Sequence, residues 1–531
     1  VRNPLHDDAG TGIRWTIVNT AENFPDVATP LGWTFWEEPL ELGLRGAFCD
    51  LGVLRPAEVV VAPTVPERFS GVFYGRFTAN LDQLLVMADL MPGTSGQAFE
   101  EQLFGGARTW TGTPSKRRWP VVLVKMPATA LRLTRILTGL RVEVDAWWRS
   151  VTAPGALDDP ARARAVLREA QDHFARVMRP HTVCTMVGQV GYEQAAKLAA
   201  AAGHPGLEIQ LITGAGTLEE TTLAQQLWEV SRGTRRLDDF LATHGYHGPS
   251  EADVASPSWR EDPTPVVRLA ETYLGMPDDA APAIALRGQS IRRAEAERRL
   301  RAGLSGPARV AAGPALAAAR RFLPLREVGK AAFLQAIDGG RAACRALGAH
   351  LAAEGVLERA EDVQYLTVPE VLGALPADLP AAVGRRRADY AEYRGYRLPE
   401  RWTGDPVPEA VAVDGTAAAP GVTITGIPVS EGVVEGIARV ISDPHKQELE
   451  VDEILVCATT DPSWGSFFLV AGAVVIDVGG PLSHGAIIAR ELGIPCVINT
   501  GSGTRRLRSG QRIRVDGGAG VVEVLSDEAP E

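Results

Sequence analysis

The chain has 531 residues, 22% of them charged, and a formal net charge of −11. That length suits two to four domains with sizeable cores. The acidic balance argues against a nucleic-acid backbone as partner.

From 11 to 54 the sequence is dense in aromatics and prolines, and Pro25 and Pro30 imply a looped path before any helix begins. Two short apolar runs, 59–62 and 121–125, read as strands. From 159 to 203 apolar residues recur at helical spacing, with a break expected at Pro180. Residues 218–241, 282–302 and 329–354 also read as helices. Residues 401–421 are rich in Pro, Ala and Gly without a period and read as a linker. Strands then dominate, at 422–425, 433–442, 454–458, 473–477, 495–498, 512–516 and 520–524. Cys49, Cys184, Cys344, Cys457 and Cys496 are scattered without a C-x-x-C pair, which indicates neither a disulfide framework nor zinc. The histidines form no ligand pair, so no metal site is expected. The longest apolar runs are too short and glycine-interrupted to span a bilayer, and no targeting segment is evident. A cytosolic protein without a membrane partner is expected.

The stretch 475–501, VIDVGGPLSHGAIIARELGIPCVINTG, is the most informative. Gly479 and Gly480 permit a tight turn. Ser483 is suited to N-cap a helix that begins at His484, whose free N–H groups would face an anion. A neutral imidazole can attack phosphorus and carry the group as a phosphoramidate. The plainer alternative is a capping histidine without chemistry. Arg490 lies nearly two turns on, so it supports the site or is purely structural.

The segment GGPLSHGAIIARELGIPCV resembles the mobile phosphohistidine domain of the phosphoenolpyruvate-utilising enzymes, and among them is most similar to the rifampicin-phosphotransferase-like proteins. GIPVSEGVVEGIARV at 426–440 and TDPSW at 460–464 resemble the same domain. The resemblance implies a multidomain fold: a mainly α-helical substrate domain at 1–400, the linker, and a compact swivelling α/β domain at 422–527. An N-terminal box with Trp15, Asn19, Pro25, Thr29, Pro30, Leu31 and Trp33 resembles the opening of the family's substrate region, which gives Trp33 a substrate role; a buried aromatic turn is the alternative.

HGYHGPSEADVASPSWREDP at 244–263 resembles a family box of usual form Gly-His-Arg-Gly-Pro-Gly-Glu. Here Tyr246 stands at the usual His and His247 at the usual Arg. Losing that Arg removes a permanently charged phosphate clamp and supplies a titratable ring suited to acid–base work; a loop shaped by its Gly and Pro, with an incidental His, is the alternative. Glu251 fits the family form. LPLREVGK at 323–330 resembles a third box, in which Arg326 and Lys330 share a helix face and could hold an anionic oxygen; an ion pair of Glu327 with a neighbouring Arg is the alternative.

The relatives usually carry an ATP-grasp domain, and this sequence has no Walker loop. The resemblance therefore implies a phosphotransferase component. His484 would carry phosphate from a separate ATP-grasp partner to a bulky metabolite. This chain would bind no cofactor, with ATP and Mg²⁺ entering only through the partner. Catalytic roles would fall to His484, Tyr246 and His247. Substrate binding would fall to Glu251, Arg326, Glu327, Lys330 and Trp33. Two alternatives stay open: a nucleotide-independent cyclase or dehydratase of natural-product assembly, and a non-catalytic binder of a rifamycin-like compound.

Overall fold

The computed structural model describes residues 3–18, 20, 24, 26–92, 94–104, 109–212, 219–248, 250–278, 281–410, 418–442, 447–460, 464–480 and 483–527. The chain is multidomain. It divides by contacts into two units, Val1–Val187 with Ala252–Ser256 and Leu325–Val411, and Gly188–Glu251 with Pro257–Pro324 and Ala412–Glu531. The division falls inside two long helices, Pro160–Ala201 and Gly306–Ala353, a boundary that no composition shift marks.

In the first unit, helix Pro30–Asp50 starts on its own proline, with Thr29 as N-cap accepting from Gly32 N at 2.9 Å. Its aromatic face builds the core. Trp33 packs edge-on against Phe77, and Trp36 against Phe24, Phe174 and Phe333. Residues 121–125 are not a strand. They lie in helix Trp119–Val151, where Val122, Leu133, Leu137, Val144, Trp148 and Val151 are buried at helical spacing and override local β-propensity. Residues 59–62 are irregular, with Val60 exposed. Pro180 does not break its helix, because buried Phe174, Val177, Met178, Val183 and Cys184 anchor both sides of it. The first half of the expected linker is structured. Arg401–Thr403 pairs antiparallel with Arg14–Thr16, and the Trp402 ring lies 5.8 Å from that of Phe73. Residues 411–417 lie outside the described residues.

In the second unit, an eight-stranded mixed sheet runs in spatial order Thr423–Thr425, Val521–Ser526, Arg512–Asp516, Val433–Val440, Ile454–Cys457, Ala473–Ile476, Cys496–Ile498, Ile427–Ser430. The four strands from Val433–Val440 to Cys496–Ile498 are mutually parallel. ILVC and AVVI are buried on both faces, as central parallel strands require. Alternation sorts their side chains. Leu455, Cys457, Val474 and Ile476 face one apolar cluster, while Ile454, Val456, Ala473 and Val475 face another. Helix His484–Leu492 adds Ala486, Ile488 and Ala489 to the first cluster. The remaining helices of this unit include Glu219–Ser231, Leu237–His244, Thr264–Leu274 and Pro282–Gly303. No described helix is long and apolar enough to cross a membrane.

Candidate functional site

Residue 477 follows the C-terminal end of strand Ala473–Ile476, and helix His484–Leu492 begins seven positions later. Ser483 is the N-cap and accepts from Ala486 N at 3.3 Å, and Gly493 closes the helix at φ 71° in the left-handed region. The backbone of His484 therefore occupies the first helical position, where free N–H groups and the helix dipole favour an anion. The side chain of His484 lies outside the described residues, as do Pro481, Leu482 and residues 461–463. Gly485 is packed so closely that a Cβ would fall 2.5 Å from Thr460 Oγ1 and Ile476 Cδ1. Gly479 and Gly480 are partly exposed beside it. Arg490 is buried, and its Nε donates to Ala486 O at 2.8 Å within the helix.

Asp477 was not singled out by sequence. Its buried carboxylate accepts from Thr500 Oγ1 at 2.6 Å, Thr504 N at 3.0 Å, Thr504 Oγ1 and Gly503 N. It thereby ties the end of strand Ala473–Ile476 to helix Gly503–Arg506. The only signal in the sequence was an acid ending an apolar run before Gly-Gly. Asp477→Asn offers one acceptor oxygen to these donors and sets an amide N–H against another. We expect a loss of about 1–3 kcal/mol, read as a lowered urea midpoint for the second unit.

Tyr246, His247 and Glu251 lie together in the second unit. His247 Nδ1 is 2.8 Å from Glu251 Oε2, and both side chains are buried. The Tyr246 ring, fully buried, lies 4.3 Å from that of His247. Ser250 takes φ 43°, a left-handed conformation where the family form has glycine. His244 Nε2 lies 3.1 Å from Gln226 Oε1, which ties the box to helix Glu219–Ser231.

Arg326, Glu327 and Lys330 lie in the first unit on helix Gly306–Ala353. Arg326 pairs with Glu327 at 2.9 Å, the ion-pair alternative, with Glu327 nearly buried. Trp33 is core. The candidate residues thus fall in both units.

His181, also missed by sequence, faces the Arg326 box. A Cβ on Gly329 would sit 2.8 Å from His181 Nδ1, an atom that is sealed and has no partner among the described residues. Burial, with Arg326 next in effect, pushes its pKa down to about 4. The folded pKa lies below the unfolded one. Stability from this group is therefore full above about pH 6.5 and falls as pH drops toward 4. Because the residue is partly exposed, the loss is at most about 3 kcal/mol. Urea midpoints from pH 7.5 to 4.5 should show this slope, and His181→Asn should flatten it. Among the described residues, no three His, Cys, Asp or Glu side chains are placed to hold a metal ion.

Residues 449–520 match the model of the PEP-utilising enzyme mobile domain, and residues 196–327 match the rifampicin phosphotransferase fourth domain. The first match contains Ser483, His484 and Arg490, and the second contains Tyr246, His247, Glu251, Arg326 and Glu327. A protein of Mycobacterium tuberculosis is 35% identical over 298 residues, covering 55% of this chain and 32% of that protein. A rifampicin phosphotransferase of Streptomyces sviceus is 34% identical over 335 residues, covering 61% of this chain and 38% of the relative. The chondramide synthase of Chondromyces crocatus is 33% identical over 347 residues, covering 59% of this chain and 9% of that protein. The chain thus spans about a third of the length of the first curated relatives it matches. The likeness to the PEP-utilising enzymes read from GGPLSHGAIIARELGIPCV stands.

Proposed function

We propose, for a chain that carries a PEP-utilising mobile domain, that it is the acceptor-side component of a small-molecule phosphotransferase. An imidazole nitrogen of His484 attacks the donor phosphorus; the N–P bond forms as the bridging P–O bond breaks. An acceptor hydroxyl then attacks the same phosphorus, the N–P bond breaks, and the hydroxyl proton is lost. The phosphate comes from a separate ATP-grasp partner, which supplies ATP and Mg²⁺. The acceptor is a bulky hydroxylated metabolite, and Arg326 and Lys330 are candidates to bind its anionic oxygens.

The observation that carries this reading is the backbone of His484 at the first position of a Ser-capped helix, inside the matched segment 449–520. Incubation with ATP and an ATP-grasp protein, or with phosphoramidate as a chemical donor, should place one acid-labile, base-stable phosphate on His484. Phosphopeptide mapping that finds none there removes the reading.

A second reading is a nucleotide-independent cyclase or dehydratase. It is favoured by one feature, the buried His247–Glu251 pair where the family box has an arginine. Turnover of a purified metabolite without any nucleotide would select it.

A further inference from the structure

The His247–Glu251 pair is incomplete as a purely structural feature. An ionised carboxylate only accepts hydrogen bonds, so with Glu251 ionised the 2.8 Å contact calls for a proton on Nδ1, and a neutral ring then carries its lone pair on Nε2. That Nε2 is buried and has no partner among the described residues. The adjoining stretch repeats the pattern. Trp259 N donates to His247 O at 2.7 Å, the two rings lie 5.5 Å apart, and Trp259 Nε1 and Ser258 Oγ are likewise buried without partners. Buried polar atoms are almost always satisfied, so three such atoms on His247 and on the Ser258–Trp259 stretch hydrogen-bonded to it point to a polar guest.

The chemistry of the three atoms selects that guest. Nε2 accepts, the indole N–H donates, and the serine hydroxyl does either. A hydroxyl group, which both donates and accepts, complements them. A fully ionised phosphate or carboxylate offers only acceptors and would set lone pair against lone pair at the Nε2 of a neutral ring. The departure from arginine therefore exchanges an anion clamp for a hydroxyl site. The box also lies in the same unit as the carrier domain. Through His244 and Gln226 it joins helix Glu219–Ser231, which contacts helix Gly465–Val470, which contacts the carrier helix.

We infer that His247, its tautomer fixed by Glu251, receives the hydroxyl that takes phosphate from His484. As the O–P bond forms and the N–P bond breaks, the hydroxyl proton passes to His247 Nε2. This rests on the carrier reading above.

The test uses the whole chain loaded on His484 with phosphoramidate, and water as the simplest hydroxyl acceptor. Phosphate release is followed by ³¹P NMR from pH 6 to 9. His247→Gln should slow release by at least tenfold, toward the roughly 10²–10⁴ that a general base supplies, and should flatten the pH profile. Glu251→Gln should slow it less and shift the profile. Release from His247→Gln at the wild-type rate would mean that the cluster only traps a water, and would overturn the inference. Should His247→Gln not fold, ¹⁵N-imidazole NMR of the wild type decides. A histidine protonated on Nδ1 and bare on Nε2, lost in Glu251→Gln, is expected, and the opposite tautomer refutes the assignment. Failure to load His484 sinks the carrier reading and this inference together; normal loading with unchanged release sinks this one alone.

Discussion

His484→Ala will lose its acid-labile phosphate uptake, a fall on the order of 10³-fold or more, because the imidazole that forms the N–P bond in the proposed reaction is gone. Its melting temperature will stay close to that of the wild type. The separation of the two effects follows from backbone position. Residue 484 is the first residue of its helix, capped by Ser483 through Ala486 N. Alanine is the best helix former and leaves that cap intact. The neighbouring position would not tolerate such a change quietly, since a Cβ at Gly485 would fall 2.5 Å from Thr460 Oγ1 and Ile476 Cδ1. Ser483→Ala is the matched control. It removes a cap worth about 1 kcal/mol and a helix-end orientation, so it should lower both stability and phosphate uptake without abolishing either. Uptake by His484→Ala at the wild-type level would show that the carrier is another residue.

The C-terminal strands and helix His484–Leu492 were largely legible because their signals are local. Gly479, Gly480, Ser483 and Gly493 bracket the loop and helix, and apolar runs such as ILVC and AVVI have the length of buried parallel strands. The helical region was less so, because there the deciding forces are distant in sequence. Residues 121–125 have the composition of a strand, yet Val122 is buried as part of a stripe that reaches Val151. Pro180 has the signature of a break, yet packing on both sides of it holds the helix. Arg401–Thr403 sits in a stretch with linker composition, yet pairs with Arg14–Thr16 from the far end of the chain. The site shows the same contrast. His484 stands in a motif, whereas Asp477 matters through Thr500, Gly503 and Thr504, and His181 through a helix that begins more than a hundred residues later. Spacing along the chain does not encode those meetings.

The same long-range logic makes Asp338→Ala the most damaging single change expected for stability. Asp338 and Arg341 are both fully buried in the first unit. Arg341 NH1 donates to Asp338 Oδ1 at 2.7 Å, Trp148 Nε1 donates to Oδ2 at 2.8 Å, and Arg341 NH2 donates to Asp253 O at 3.1 Å. Removing the carboxylate takes the counter-charge at 2.7 Å from a buried guanidinium and an acceptor from the Trp148 indole N–H together. Breaking such a pair from one side costs about 3–5 kcal/mol, more than a surface ion pair of about 0–1 kcal/mol. Asp338→Asn keeps the shape and one acceptor and should lose less. Replacing both partners, Asp338→Leu with Arg341→Leu, should recover part of the loss, since neither charge is then left alone. Asp253 also accepts from Thr29 N and Ala255 N, so the damage should reach the segment Ala252–Ser256 that directly follows Glu251. Urea midpoints for the three variants, with hydrogen exchange over residues 252–256, would measure both effects. An Asp338→Ala protein as stable as wild type would mean that this buried pair contributes nothing to the first unit.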